Sequence, residues 1–258
     1  MNDFGNQIFN IVRNTKFKLF NQGKYAQLTY QALDAYVTYV NSSQEENIKV
    51  SYPVGYTPSK EAILSESLFS KSELKKEYNF LGLTQLPTNG IYHLTTLMET
   101  MFSDILRAVF TKYPEKMSSK KQIAISDILS LSSIELVHLE IINKTINEIA
   151  YKSPKDFVAE FEKFVSINLF ETPAMHHYLE IKATRDIYIH NMGIVNSVYI
   201  DKSASHARAK DGQELPINIQ YFLESYEYCL QLCEFLEKEF HHKWHSSEYE
   251  ETLKKIII

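Results

Sequence analysis

The chain has 258 residues, 44% of them hydrophobic and 23% charged, and a net charge of −5. That suits one globular domain, or one domain with a sizeable extension, and excludes a generally basic nucleic-acid-binding surface. No apolar run approaches the roughly 18 residues of a membrane span, and the N-terminus has no signal-peptide pattern, so a cytoplasmic protein without a membrane partner is expected.

Only 7 Gly and 7 Pro occur, which favours helices. Residues 1–40 are amphipathic, with Phe9, Phe17, Phe20, Leu28 and Tyr36 expected in the core and Gly23 marking a turn or kink between two helices. Residues 41–58 carry two prolines and a glycine and read as a loop. Residues 59–80 read as one or two short helices, with Ser59 capping the first and Ser70 or Ser72 starting the second. Residues 82–90 read as a linker. Leu94, Met98, Met101, Phe102, Ile105, Leu106 and Val109 then recur at helical spacing, and Pro114 closes that helix. Ser126 to Leu131 is expected to form a short helix or turn, and residues 133–151 an amphipathic helix. Ser153-Pro154 is an N-cap followed by Pro at the first helical position, opening a helix to about residue 167.

Residues 173–192 form the next helix, stopped at Gly193, which tolerates positive φ. Residues 196–215 read as a polar loop and residues 216–244 as a long last helix, followed by a tail. Strand evidence is thin at residues 48–54 and 195–200. The expected fold is all-α: a bundle with an N-terminal helical extension over residues 1–86, a helical domain over 87–246 and a C-terminal tail over 247–258. Cys229 and Cys233, four apart in an apolar helix, read as buried residues rather than a disulfide.

The last turns of the 173–192 helix carry Arg185-Asp186-Ile-Tyr-Ile-His190, and Asn191 to Asn196 follows as a turn. An Arg, a polar residue after it and a His four to six positions on resemble the motif of the HEPN superfamily of all-helical proteins. The resemblance runs back through residues 94–130 and forward to about Trp244, roughly the last two thirds of the chain. It implies a HEPN-like bundle and a metal-independent endoribonuclease. The setting it implies is defence, toxin–antitoxin or RNA processing, with an antitoxin or regulatory protein as a further partner. It also implies a homodimer that brings two motif helices together.

The residue types fit that chemistry. Histidine is the side chain suited to taking or giving a proton under cellular conditions, so His190 is the candidate base. Arg185 presents a planar fork to a phosphodiester, and it is one of only four Arg against 23 Lys. Attack by the 2′-OH of RNA would leave a 2′,3′-cyclic phosphate and a 5′-hydroxyl, with no metal or cofactor required. Asp186 is expected to orient His190 or Arg185 by a hydrogen bond. Asn191 either contacts phosphate or ends the helix. Lys202, His206, Arg208 and Lys210 form a loop patch without acids that could guide RNA. Residues 112–121, with four Lys and one Glu, are a weaker patch of the same kind. His241, His242 and His245 cluster, but the sequence places no carboxylate or Cys to complete a metal site, so no metal is expected. The alternative is a non-catalytic helical module that binds RNA or protein. A toxin silenced on a Tyr just after the motif His is disfavoured, because Asn191 and Met192 stand there.

Overall fold

The computed structural model describes residues 4–117, 125, 128 and 131–256. It is predominantly helical with one small antiparallel hairpin. The order is α1 (Phe4–Ser42), β1 (Asn47–Tyr56), β2 (Ala62–Ser70), α2 (Lys71–Phe80), a π turn (Leu81–Gln85) and α3 (Leu86–Lys112). Then come α4 (Ile134–Ala150), α5 (Pro154–Val165), α6 (Pro173–Asn191), α7 (Ser197–Ser203), α8 (Ile219–Lys243) and α9 (Ser247–Ile256). No helix among the described residues is long and apolar enough to cross a membrane.

Local chemistry explains the starts and stops. Ser70 caps α2 in a reciprocal box with Glu73. Ser133 caps α4, and Ser153 with Pro154 at the first helical position starts α5. Met192 takes the left-handed conformation at the end of α6, followed by Gly193 at φ +79°. The Gly193 amide reaches back to the Ile187 carbonyl at 3.2 Å, closing the helix as expected.

The central helix is α3. Leu94, Met98, Phe102, Ile105 and Val109 are fully buried on a helix that packs against α1, α4, α5, α6 and α8. Phe102 meets Phe161 of α5 edge-on at 5.0 Å between centroids. Cys229 and Cys233 sit in this core as free thiols, the second against Met98 and Met101. Burial pushes the Cys229 thiol up to about 12, so it behaves as a small apolar group.

Several expectations fail for definable reasons. Gly23 makes no break: α1 is one helix of 39 residues. A Cβ at Gly23 would stand 3.0 Å from the Tyr226 ring, so the glycine serves a close helix contact. Phe9 is buried and Tyr36 stacks on Tyr78 at 4.6 Å, but Phe17, Phe20 and Leu28 are more than half exposed. The stripe that α1 turns inwards is Ile8, Val12, Thr15, Leu19, Gln22 and Ala26, at alternating steps of four and three, which leaves residues 17, 20 and 28 outside it.

Residues 47–56 form a strand where a loop was expected, and residues 62–70 form its partner where a helix was expected. Ser59 caps nothing and lies in the connection between them. The register shifts between Pro53 and Gly55, so the proline falls at an irregularity of a two-stranded ribbon, where its missing amide is tolerated. The 82–90 linker is helical, because the π turn runs from α2 into α3 without a gap. Residues 197–203 of the expected polar loop are helix α7, and the expected tail is α9. The expected element at Ser126 to Leu131 lies largely outside the described residues, as do Lys120 and Lys121 of the weaker basic patch.

Candidate functional site

Arg185 lies in the fourth turn of α6 and opens onto a cleft of about 690 Å³ between α3, α6 and the α4–α5 junction. The cleft wall mixes cations (Arg107, Lys182, Arg185), carboxylates (Glu99, Asp104), hydroxyls (Thr96, Thr100, Ser103) and aromatic faces (Tyr151, Phe157). Thr96, Thr100, Ser103 and Arg107 recur on one face of α3, which is how a single helix supplies so much of the polar wall.

A chain of alternating charges crosses its edge. Lys202 Nζ donates to Asp186 Oδ2 at 3.0 Å, and Arg185 Nη1 donates to Asp186 Oδ1 at 2.9 Å. Arg185 Nη2 donates to Glu99 Oε2 at 2.8 Å, and Lys182 donates to the other Glu99 oxygen. Three cations face two carboxylates, leaving an excess of one positive charge beside the cleft. The side chains are 20–32% exposed, so these pairs are only partly shielded from solvent. Burial lowers the Lys182 ammonium below the usual lysine range; Asp186 opposes this, while Arg185 and Lys202 add to it.

Asp186 accepts from Arg185 and Lys202. His190 stands on the last turn of α6 and is exposed. It stands five positions beyond Arg185, about 7.5 Å of rise and 140° of rotation, so the two flank different faces. Asn191 ends the helix: its side-chain amide donates to the Ile194 carbonyl. Of the expected loop patch, Lys202 joins the charge chain and Lys210 is exposed.

Arg208 corrects the expectation made for it. Its guanidinium turns inwards: Nε donates to Glu180 Oε1 at 3.0 Å, Nη1 to the Pro216 carbonyl at 2.6 Å and Nη2 to Thr184 Oγ1 at 3.2 Å. It also lies 3.5 Å above the Tyr221 ring. Glu180 is only 4% exposed and also accepts from Thr184, Tyr199 and Tyr221 hydroxyls. Burial, then the Glu180 charge, raises Tyr199 and Tyr221, so both hydroxyls stay protonated and donate. This network fastens the 197–217 segment to α6. His206 likewise packs into a histidine cluster, 4.5 Å from His177 and 6.0 Å from His176 between ring centroids. His177 stacks on Tyr228 at 3.7 Å.

Glu99 and Lys182 belong to the site but carried no local signal that named them. Lys182 stands three residues before Arg185, a spacing that marks a shared helix face. Glu99 lies 86 residues from its partner on another helix, which no local pattern reveals. Comparison of the chain with protein-family models, with curated proteins and with solved structures found no match.

Proposed function

We propose that this chain is a metal-independent endoribonuclease with a HEPN-like domain over residues 87–246. Arg185 binds the scissile phosphodiester, and His190 takes the proton of the attacking 2′-OH. The O2′–P bond forms, the P–O5′ bond breaks, and a proton returns to the leaving 5′ oxygen. The observation that carries this reading is Arg185 in the wall of a large cleft, beside Lys182 and with one positive charge in excess. A fork of two η nitrogens suits a phosphodiester better than an ammonium does.

One chain offers His190 and Arg185 on different faces, which favours a homodimer through the motif helices. Ile189, Met192, Ile194 and Val198 lie exposed around His190, an apolar rim that a second copy would cover. Of the two isoleucines within the motif, Ile187 packs inside its own chain and Ile189 does not. The defence or RNA-processing setting, and an antitoxin or regulatory partner, follow from the resemblance alone.

The test is incubation with total RNA, with and without chelator, and mapping of the ends. Cleavage should survive chelation and yield 2′,3′-cyclic phosphate ends. His190→Ala should lose about 10²–10⁴-fold in rate while keeping its helical spectrum. Arg185→Ala and Arg185→Lys should both be poor, and 2′-deoxy substitution at the cut site should block the reaction. Undiminished cleavage by His190→Ala refutes the assignment. The second reading is a non-catalytic RNA-binding or interaction module. It is favoured by Glu99 and Asp186, which already occupy both η nitrogens of Arg185. RNA binding without cleavage, unchanged by either motif substitution, would select it.

A further inference from the structure

The corner between α8 and α9 gathers three metal-ligating side chains that the ribonuclease reading does not use. His241 lies in the last turn of α8, His245 two residues past the end of that helix, and Glu250 near the start of α9. Nε2 of His241 and Nδ1 of His245 stand 3.9 and 3.7 Å from the same Glu250 oxygen. Those distances are too long for hydrogen bonds, so the three groups converge without satisfying one another. One ligand atom from each lies within 4.8 Å of the others. In a tetrahedral zinc site, with bonds of about 2.0–2.1 Å, ligand atoms stand about 3.4 Å apart. Reaching that spacing requires rotation of the His245 and Glu250 side chains, both of which are exposed.

The corner itself is held rigidly. A Cβ on Gly5 would come within 2.0 and 2.1 Å of the His245 and Trp244 carbonyl oxygens, so the backbone of α1 lies directly against this turn. Asn6 Oδ1 accepts from Ser246 Oγ at 2.7 Å and from the Glu248 amide at 3.2 Å. His241 is mostly enclosed and packs against Tyr249.

We propose that His241, His245 and Glu250 bind one divalent transition-metal ion of the zinc type, with water in the fourth position. Two imidazoles and one carboxylate select such an ion over Mg²⁺, which prefers oxygen ligands. Because α9 follows α8 directly, the ion pins α9 in place and has no part in RNA chemistry. Binding through Nε2 requires the His241 proton to sit on Nδ1. That nitrogen now accepts from the Ser246 amide at 3.2 Å, so metal entry must release this contact.

The experiment uses the full chain without an affinity tag. Titration calorimetry with ZnCl₂ and the visible spectrum of added Co²⁺ report stoichiometry and geometry. The expected result is one ion per chain, a tetrahedral Co²⁺ spectrum and a shifted Ser246 amide resonance. His241→Ala and Glu250→Gln should each weaken binding by more than about 100-fold, beyond the usual cost of losing an outer-shell partner. His242→Ala is the control, since His242 faces Glu239 at 3.8 Å instead. Absence of zinc binding at micromolar concentrations overturns the proposal. So does equal affinity in His241→Ala and Glu250→Gln, or preference for Mg²⁺.

Discussion

Replacing Arg208 by Met separates a structural arginine from an RNA-binding one. Met retains an apolar stem of similar length but removes every donor. Glu180, 4% exposed, would keep its three hydroxyl donors and lose its only guanidinium partner. Breaking a buried ion pair typically costs about 3–5 kcal/mol. Arg208 itself keeps 23% of its side-chain exposure, so the lower end, about 3 kcal/mol, applies. For a chain of this length about 2–4 °C of Tm accompanies each kcal/mol, giving a fall of roughly 6–12 °C. Thermal melts followed by circular dichroism measure it. The double variant Glu180→Gln with Arg208→Met removes the stranded charge and should recover at least half the loss. A single variant melting within about 2 °C of the parent, with RNA binding lost instead, would refute the buried-network argument.

The other expectations are smaller in scope. Burial, His206 and His176 lower the His177 pKa against the pull of Glu180 and Glu224, so the unfolded chain binds more protons there than the folded one. The stability this gives neutral His177 is complete above about pH 6.5 and is lost as pH falls towards the depressed folded-state value. Denaturation between pH 5 and 7.5 should show that slope, and His177→Phe should flatten it. Gly5→Ala puts a methyl into two backbone carbonyls that cannot swing aside. It should cost about 1–3 kcal/mol in chemical denaturation and open the α9 corner to proteolysis. Phe17→Lys and Phe20→Gln, both on the exposed face of α1, should change stability by no more than about 0.5 kcal/mol in the same assay; a large loss would mean that this face is covered.

The helices of the second half were legible because their signals are local. Ser133, Ser153-Pro154 and Gly193 each act on the amides or carbonyls of the adjacent turn, and the α3 stripe is a period that the sequence displays directly. The hairpin shows the limit of such signals. Ile48, Val50, Tyr52, Val54 and Tyr56 alternate as a strand does, but Pro53 and Gly55 interrupt the run as loop residues do. Only the partner strand decides between the two, and its pairing places the irregularity at that interruption. Gly23 misleads in the opposite sense. A helix interior tolerates a glycine where another ring must approach, and the Tyr226 ring belongs to a helix two hundred residues away in sequence.

The four arginines carry the same lesson into the site. Their scarcity beside 23 lysines suggested that each is kept for its geometry. At Arg185 and Arg208 the geometry is used: each guanidinium donates from several nitrogens to fixed acceptors. Yet a fork that grips a carboxylate and a fork that grips a phosphate look alike in sequence. What separates them is whether the acceptor is already enclosed. Arg208 faces a carboxylate sealed among Tyr199, Tyr221 and Thr184, so an incoming phosphate would have to displace a satisfied network. Arg185 faces Glu99 and Asp186 at the margin of an open cleft, where Lys182 and Lys202 also hold those carboxylates. On the proposed reading, a phosphodiester takes the guanidinium while each carboxylate keeps an ammonium partner. That difference in alternatives, more than the number of contacts, makes Arg185 the exchangeable one of the two.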